Sequence, residues 1–217
     1  MRIIEYLNSL NSHSKLSILD VGCAEGHIGE KLSSSKFTFY GIEMSKADAM
    51  TASKYYKEVK IVDLDVDKVL YPSNFFDAII LADVIEHLKN YLKITSSLRP
   101  FLKKEGVMIL STVNIANIYI RLRLLFGKFD YQQKGILDQT HLKLFTLKTF
   151  RNLATQSGLT VIKEEFTPIP LPLIHDIFSE GKPLNIFHKF NYFLACLVPT
   201  LFCFQFVLYC KKDAKNI

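Results

Sequence analysis

The stretch from Ile18 to Leu32, ILDVGCAEGHIGEKL, constrains the fold more than any other part of the chain. An apolar run passes through Asp20 and Val21, glycines follow at Gly22, Gly26 and Gly29, and the close has helical spacing. Strand, tight glycine-bearing turn and helix form the unit with which α/β sheets bring backbone close to a nucleotide-type ligand. A chain of 217 residues, 49% apolar and 22% charged, can build one large α/β domain around such a unit. No internal repeat points to a solenoid.

The same rhythm continues downstream. KFTFYGIE, Lys36 to Glu43, reads as a second strand, and SKADAMTASKYY as a helix capped by Ser45. VKIVDLD is a third strand. FFDAIILAD, almost wholly apolar, is a fourth of the kind buried on both faces. A helix from Leu88 to Leu102 then leads to EGVMILSTV, the fifth strand. Strands alternating with helices predict a parallel sheet, helices on both faces, and ligands at the carboxyl ends of the strands.

Beyond Val113 the rhythm changes. Residues 114–141 read as a basic, partly helical insertion. TLKTFRNLATQSG is a helix capped at Thr146 and stopped by Gly158, and LTVIKEEF is a sixth strand. TPIPLPLIHDIF, with Pro168, Pro170 and Pro172, reads as a loop. With the apolar helix after it, this segment occupies residues 167–199, and a Pro-marked last strand ends at Lys211 and Lys212. The expectation is a single domain over residues 1–217.

Several classes fall away. Ile3, Ile4, Leu7 and Leu10 follow a helical period, so the N-terminus reads as a short amphipathic helix and not a signal peptide. Cys23, Cys196, Cys203 and Cys210 form no CxxC pair, and reduced, buried thiols in a cytoplasmic protein are expected. Phe190 to Cys210 is long enough to span a bilayer, but Asn191, Pro199 and Gln205 interrupt it, so helix, turn and buried strand are expected. The net charge of +6 is gathered: Arg121, Arg123, Lys128, Lys134, Lys143, Lys148 and Arg151 meet only Asp130 and Asp138. This is either a solvated face or a site for an anionic substrate or a membrane surface. No nucleic-acid recognition motif accompanies it.

Two ligand classes compete for the first turn. A dinucleotide calls for G-x-G-x-x-G, whereas here Ala24 stands two residues after Gly22 and the next glycine is Gly26. S-adenosylmethionine has no phosphate, but needs close backbone approach and an acid for its ribose hydroxyls. Glu43, closing the second strand, suits either ribose. Taken in order, DVGCAEG, YGIEMS, FDAIILADVIEHL, LRPFLKKEGVMILSTVN and DQTHLKLFTLKTFRNLATQSGLTVIKEE resemble the class I S-adenosylmethionine-dependent methyltransferases. The likeness is to the small-molecule branch with FDxIxxxDVxEHL and covers Leu16 to Phe166. It implies a Rossmann-like, seven-stranded, mostly parallel sheet with an antiparallel last strand.

The resemblance also implies roles. Gly22, Cys23, Ala24 and Gly26 would pack against the methionine part of S-adenosylmethionine, with Asp20 near its amino end. Glu43 would take both ribose hydroxyls, Met44 would flank the adenine, and Asp63 would accept from its amino group beside Leu64. Asp65 and Asp67 share the acidic loop with Asp63. Asp83 would face the methionine end and the acceptor. Ala24 departs from the family's usual glycine, which predicts a slightly altered fit.

A hydroxyl nucleophile needs a proton acceptor, and two histidines are candidates. His87 follows the fourth strand, and His141 follows the basic insertion with Asp138 as a possible orienting carboxylate. Glu86 with His87 is too small a set for a metal site. A basic lid and an apolar C-terminal helix suggest an anionic, amphiphilic acceptor. GILDQTHLKLFT and LFCFQFVLYC resemble methyltransferases of surface-glycan pathways, which favours O-methylation of a lipid- or nucleotide-linked sugar. The alternatives are a quinone-precursor O-methyltransferase, a nicotinamide-dependent oxidoreductase and a non-catalytic cofactor-binding subunit. A cytoplasmic location, with weak attachment to a membrane surface, is expected.

Overall fold

The computed structural model describes residues 2–10, 14–32, 36–169 and 184–213, with side chains in the last segment from Lys189 onward. Its centre is a seven-stranded sheet in the order β3-β2-β1-β4-β5-β7-β6. The parallel strands are β1 (Leu16–Val21), β2 (Phe37–Glu43), β3 (Glu58–Ile61), β4 (Phe76–Ala82) and β5 (Leu102–Val113). β6 (Leu159–Pro168) and β7 (Cys203–Lys212) form an antiparallel pair, and β7 also runs antiparallel to β5. The chain leaves β1 toward β2 and β3, then returns to place β4 on the other side. The carboxyl ends of β1 and β4 therefore flank the crevice where the strand order reverses.

Two apolar layers pack on the two sheet faces. On one face α1 (Arg2–Ser9), α2 (His27–Lys31) and α3 (Lys46–Ala52) cover Ile18, Phe39, Ile80, Ile109 and Tyr209. On the other, α4 (Tyr91–Leu98) and α6 (Leu147–Gln156) cover Leu19, Ile79, Leu81, Met108 and Leu208. Ile79, Ile80 and Leu81 are all fully buried, so truncating any of them to Ala costs about 2–5 kcal/mol. α6 begins as the sequence leads one to expect: Thr146 Oγ1 accepts from Thr149 N–H in a reciprocal capping box, and Gly158 (φ +72°) ends the segment.

Several elements depart from expectation. β3 has only four residues, because the chain after Ile61 turns through Asx contacts in which Asp65 N–H donates to Asp63 Oδ1. The helix expected from Leu88 to Leu102 is confined to α4, since Pro100 cannot continue the hydrogen-bond ladder and Leu102 already belongs to β5. Pro168 ends β6 and does not open the loop. It stands on an edge strand at a register shift opposite Cys203, where a missing N–H is tolerated. Pro170 and Pro172 lie outside the described residues. Pro199 starts a one-turn helix, α8 (Pro199–Phe202), after α7 (Leu184–Leu197). Cys23, Cys203 and Cys210 are buried free thiols, but Cys196 is exposed on α7. Among the described residues, no helix is long and apolar enough to cross a membrane.

Candidate functional site

The turn after β1 is tied to β2 by backbone. Gly22 N–H and Cys23 N–H both donate to the carbonyl of Ile42, at 2.7 and 3.1 Å. Gly22 has φ +68°, and a Cβ there would lie 2.5 Å from Val84 Cγ2, so a side chain is excluded twice over. Ala24 also adopts a left-handed conformation, φ +46°, which costs an L-residue about 1–2 kcal/mol. Its N–H donates to Glu43 Oε2 at 2.9 Å, and Ser45 N–H donates to Glu43 Oε1 at 2.8 Å. Glu43 therefore bridges the turn and the end of β2. Each of its oxygens keeps a second lone pair, so a ribose diol fits it without breaking the bridge.

Asp20 and two of the glycines serve the turn from below. Asp20 is 3% exposed and accepts from Tyr56 O–H at 2.6 Å, while Tyr56 Oη accepts from Gly29 N–H at 3.2 Å. Burial pushes the Asp20 carboxyl up to about 7, against the lowering effect of that hydrogen bond. One of its oxygens, Oδ2, is thus committed to Tyr56. A Cβ on Gly26 would meet Ala52 Cα and Tyr56 Cε2 at 2.9 Å, and one on Gly29 would collide with the same ring. These glycines let α2 pack on Tyr56. Tyr56 was not legible as a site residue, because nothing in its sequence neighbourhood distinguishes it from a core aromatic.

At the other wall of the cofactor crevice, the acidic loop sorts itself. Asp65 accepts from Lys89 N–H and Asn90 N–H, and Asp67 Oδ2 accepts from Asp63 N–H. Asp63 uses Oδ1 for Asp65 N–H and has Oδ2 left for a ligand. Leu64 is half-buried beside it, and Met44, 68% exposed, stands at the end of β2. An exposed thioether there can flank a flat ring.

Across the switch point, Asp83 follows β4 with φ +55°, a strained conformation for a non-glycine residue. Its Oδ1 accepts from Ser111 Oγ at 3.0 Å, and both its oxygens lie 2.6 Å from Gln205 Nε2. Asp83, Ser111 and Gln205 line a cleft of about 510 Å³. Its walls include Ile3 and Ile4 of α1, Ile28 of α2, Val207 of β7 and Pro168 of β6. Arg2 and Glu5 stand at its rim and pair with each other at 3.6 Å. Gln205, Ser111 and α1 were missed as site residues, although a lone amide in the apolar strand FCFQFVLYC is the signal that marks Gln205.

His87 and His141 meet edge to face, with ring centroids 4.8 Å apart. His141 Nδ1 lies 3.1 Å from the carbonyl of Ile136, which assigns the proton to Nδ1 and leaves Nε2 as an acceptor. Burial lowers the pKa of His141, so the ring is neutral at pH 7. Asp138 does not orient it directly. Its carboxylate accepts from Thr140 Oγ1 and N–H, at 2.6 and 2.8 Å. His87 Nδ1 lies 3.2 Å from both Thr140 O and Thr140 Oγ1. Glu86, between Asp83 and these rings in sequence, is fully buried, and burial pushes its carboxyl up to about 8. Among the described residues no well-aligned hydrogen bond reaches its oxygens, although Thr112 Oγ1 and the backbone of Glu86 and Val113 stand near enough to offset part of the effect of burial. No group of three metal-ligating side chains occurs among the described residues.

The basic insertion is partly neutralised. Arg123 pairs with Asp130 at 2.7 Å, and Arg151 binds Glu164 through two hydrogen bonds. Around α5 (Ile118–Leu125), Leu122, Leu125, Phe126 and Phe129 are exposed beside Arg121 and Lys128.

A family model described as a methyltransferase domain matches residues 2–164. The ubiquinone biosynthesis O-methyltransferase of Rickettsia canadensis is 37% identical over 116 residues, which are 52% of this chain and 49% of that protein. The chain spans about half the length of the curated relatives it matches. A SAM-dependent methyltransferase from Archaeoglobus fulgidus superposes with a TM-score of 0.67 at 17% identity, over 97% of this chain and 91% of that one. The [4+2]-cyclase SpnF does so with a TM-score of 0.63 at 14% identity, over 98% and 80%. At these identities the likeness is one of fold, and the cyclase shows that this fold alone does not dictate the reaction.

Proposed function

The chain belongs to the methyltransferase-domain family, and from that premise we propose that it transfers a methyl group from S-adenosylmethionine to a hydroxyl of an uncharged, apolar-bodied acceptor of the quinone-precursor type. S-adenosylmethionine supplies a methyl already activated on a sulfonium. What remains for the protein is positioning and one proton transfer. Glu43 holds the ribose, Asp63 the adenine amino group, and the Gly22–Ala24 turn the methionine part. Neutral His141 accepts the hydroxyl proton at Nε2, with the Ile136 carbonyl fixing the tautomer.

The observation that carries the choice of acceptor is the cleft at Asp83. Ile3, Ile4, Ile28, Val207 and Pro168 give it apolar walls, and its one cation among the described residues, Arg2, is paired with Glu5. A carboxylate on its floor repels a phosphate and accepts from a hydroxyl. This weighs against the nucleotide-linked sugar suggested by the sequence. The curated relatives carry names from ubiquinone biosynthesis, which points the same way. The exposed apolar and basic side chains around α5 suit weak attachment to an anionic membrane, from which an apolar-tailed acceptor is drawn.

Transfer of radiolabelled methyl from S-adenosylmethionine tests the reading, with a short-chain prenylated catechol and a nucleotide-linked sugar as competing acceptors. Label is expected in the catechol as an aryl methyl ether. Label in the sugar alone, or in neither acceptor, overturns it.

A further inference from the structure

We infer that Gln205 is a positioning residue that acts through Asp83, fixing the carboxylate that accepts from the acceptor's second hydroxyl, beside the one whose proton passes to His141; the inference rests on the acceptor reading of the cleft. Asp83 sits where the chain leaves β4 in a left-handed conformation, so local backbone preference does not favour its orientation. Three contacts from other strands hold it. Its N–H donates to Ser111 Oγ at 3.1 Å, Ser111 Oγ returns a hydrogen bond to Oδ1, and Gln205 Nε2 lies 2.6 Å from both carboxylate oxygens.

The amide of Gln205 is itself oriented. Thr167 Oγ1 donates to Gln205 Oε1 at 3.4 Å, so the oxygen faces β6 and the NH2 group faces Asp83. The flipped amide would set its oxygen against a carboxylate. β7 thus delivers, from 122 residues downstream, the donor that fixes the acid of the parallel sheet. The same antiparallel strand brings Val207, two residues on, to the apolar wall of the cleft. One edge of β7 therefore sets both the polar floor and an apolar wall of the acceptor site.

The test uses the whole chain with the prenylated catechol as probe, comparing Gln205→Met, Gln205→Glu, Asp83→Asn and the double variant Asp83→Asn/Gln205→Met. Gln205→Met keeps the side-chain length and removes the donor. Its kcat is expected to fall by about tenfold to a hundredfold, the range for a misplaced catalytic geometry, with KM for S-adenosylmethionine within about twofold. Gln205→Glu, which faces Asp83 with a like charge, should lose more. In the Asp83→Asn background the methionine substitution should change kcat less than about twofold, because the carboxylate that Gln205 positions is already gone. Unchanged thermal unfolding shows that each variant is folded, and unchanged S-adenosylhomocysteine affinity in Gln205→Met shows that its cofactor site is intact.

Full activity of Gln205→Met overturns the inference, as does an equal loss in the Asp83→Asn background, which would mark a general structural role. A wild-type chain that binds S-adenosylhomocysteine but does not methylate the probe overturns the acceptor reading and this inference with it.

Discussion

Replacing Glu86 by Gln should remove a large share of the stability that the fold loses as pH rises. Glu86 is fully buried, and its carboxyl titrates at about 8 instead of the ordinary 4.5, chiefly through desolvation and then through the charge of Asp83. Between those two values the native state holds a proton that the unfolded chain has released. Stability therefore falls as pH rises through that window, and the loss is complete above about pH 8. A tenfold difference in proton affinity between the two states corresponds to about 1.4 kcal/mol, so the whole displacement amounts to roughly 5 kcal/mol as an upper figure. That is a large part of the net stability of a domain, about 5–15 kcal/mol. Glutamine has the same shape and no charge to desolvate, so the variant loses this share of the pH dependence while the comparable share of Asp20 remains. Urea unfolding at pH 5, 7 and 9 should give wild type and Glu86→Gln similar stability at pH 5 and a more stable variant at pH 9. The slope that remains in the variant belongs to Asp20, which burial raises to about 7. Parallel pH dependence in the two proteins would refute the claim that burial keeps Glu86 protonated in the folded state.

Glu43→Ala should weaken S-adenosylhomocysteine binding by about 2 kcal/mol or more, roughly thirtyfold in Kd, as two hydrogen bonds to a charged acceptor are lost; calorimetry reads this directly. His141→Ala should lower turnover of the prenylated catechol by about a hundredfold, in the range for a lost general base, while cofactor affinity holds; His87→Ala is the comparison, and a larger loss there would exchange the two roles. Leu122→Asp/Phe126→Asp should abolish sedimentation with anionic vesicles, and salt should weaken the wild-type association as the screening length falls from about 10 Å at 0.1 M to about 3 Å at 1 M. Vesicle binding that survives both changes would remove α5 from the membrane contact.

The parallel half of the sheet is legible because its strands are buried on both faces and read as unbroken apolar runs, as in FDAIILA of β4. Edges are harder. The apolar–polar alternation of VDLD suggests a β3 that continues past Ile61, yet its carboxylates fold back on backbone amides. Pro168 has the look of a loop residue, and pairs only because β6 is an edge strand. The residues proposed to hold the cofactor carry local signals, a glycine turn and strand-end acids. The contacts that orient them are long-range. Tyr56 lies 36 residues from Asp20, and Gln205 lies 122 from Asp83, so no local window joins them. The split of Asp63 from Asp65 likewise depends on where Lys89 and Asn90 fall in space.

The most direct test of the account is parallel calorimetric titration of the protein with S-adenosylhomocysteine, NAD and NADP. In the proposed reading the turn with Ala24 and the acid pair Glu43 and Asp63 hold an adenosyl amino acid, and the turn lacks the G-x-G-x-x-G spacing of a pyrophosphate cradle. S-adenosylhomocysteine is expected to bind one per chain and to raise the melting temperature with concentration, while neither dinucleotide gives heat. Saturable binding of NAD or NADP, with none of S-adenosylhomocysteine, would contradict it.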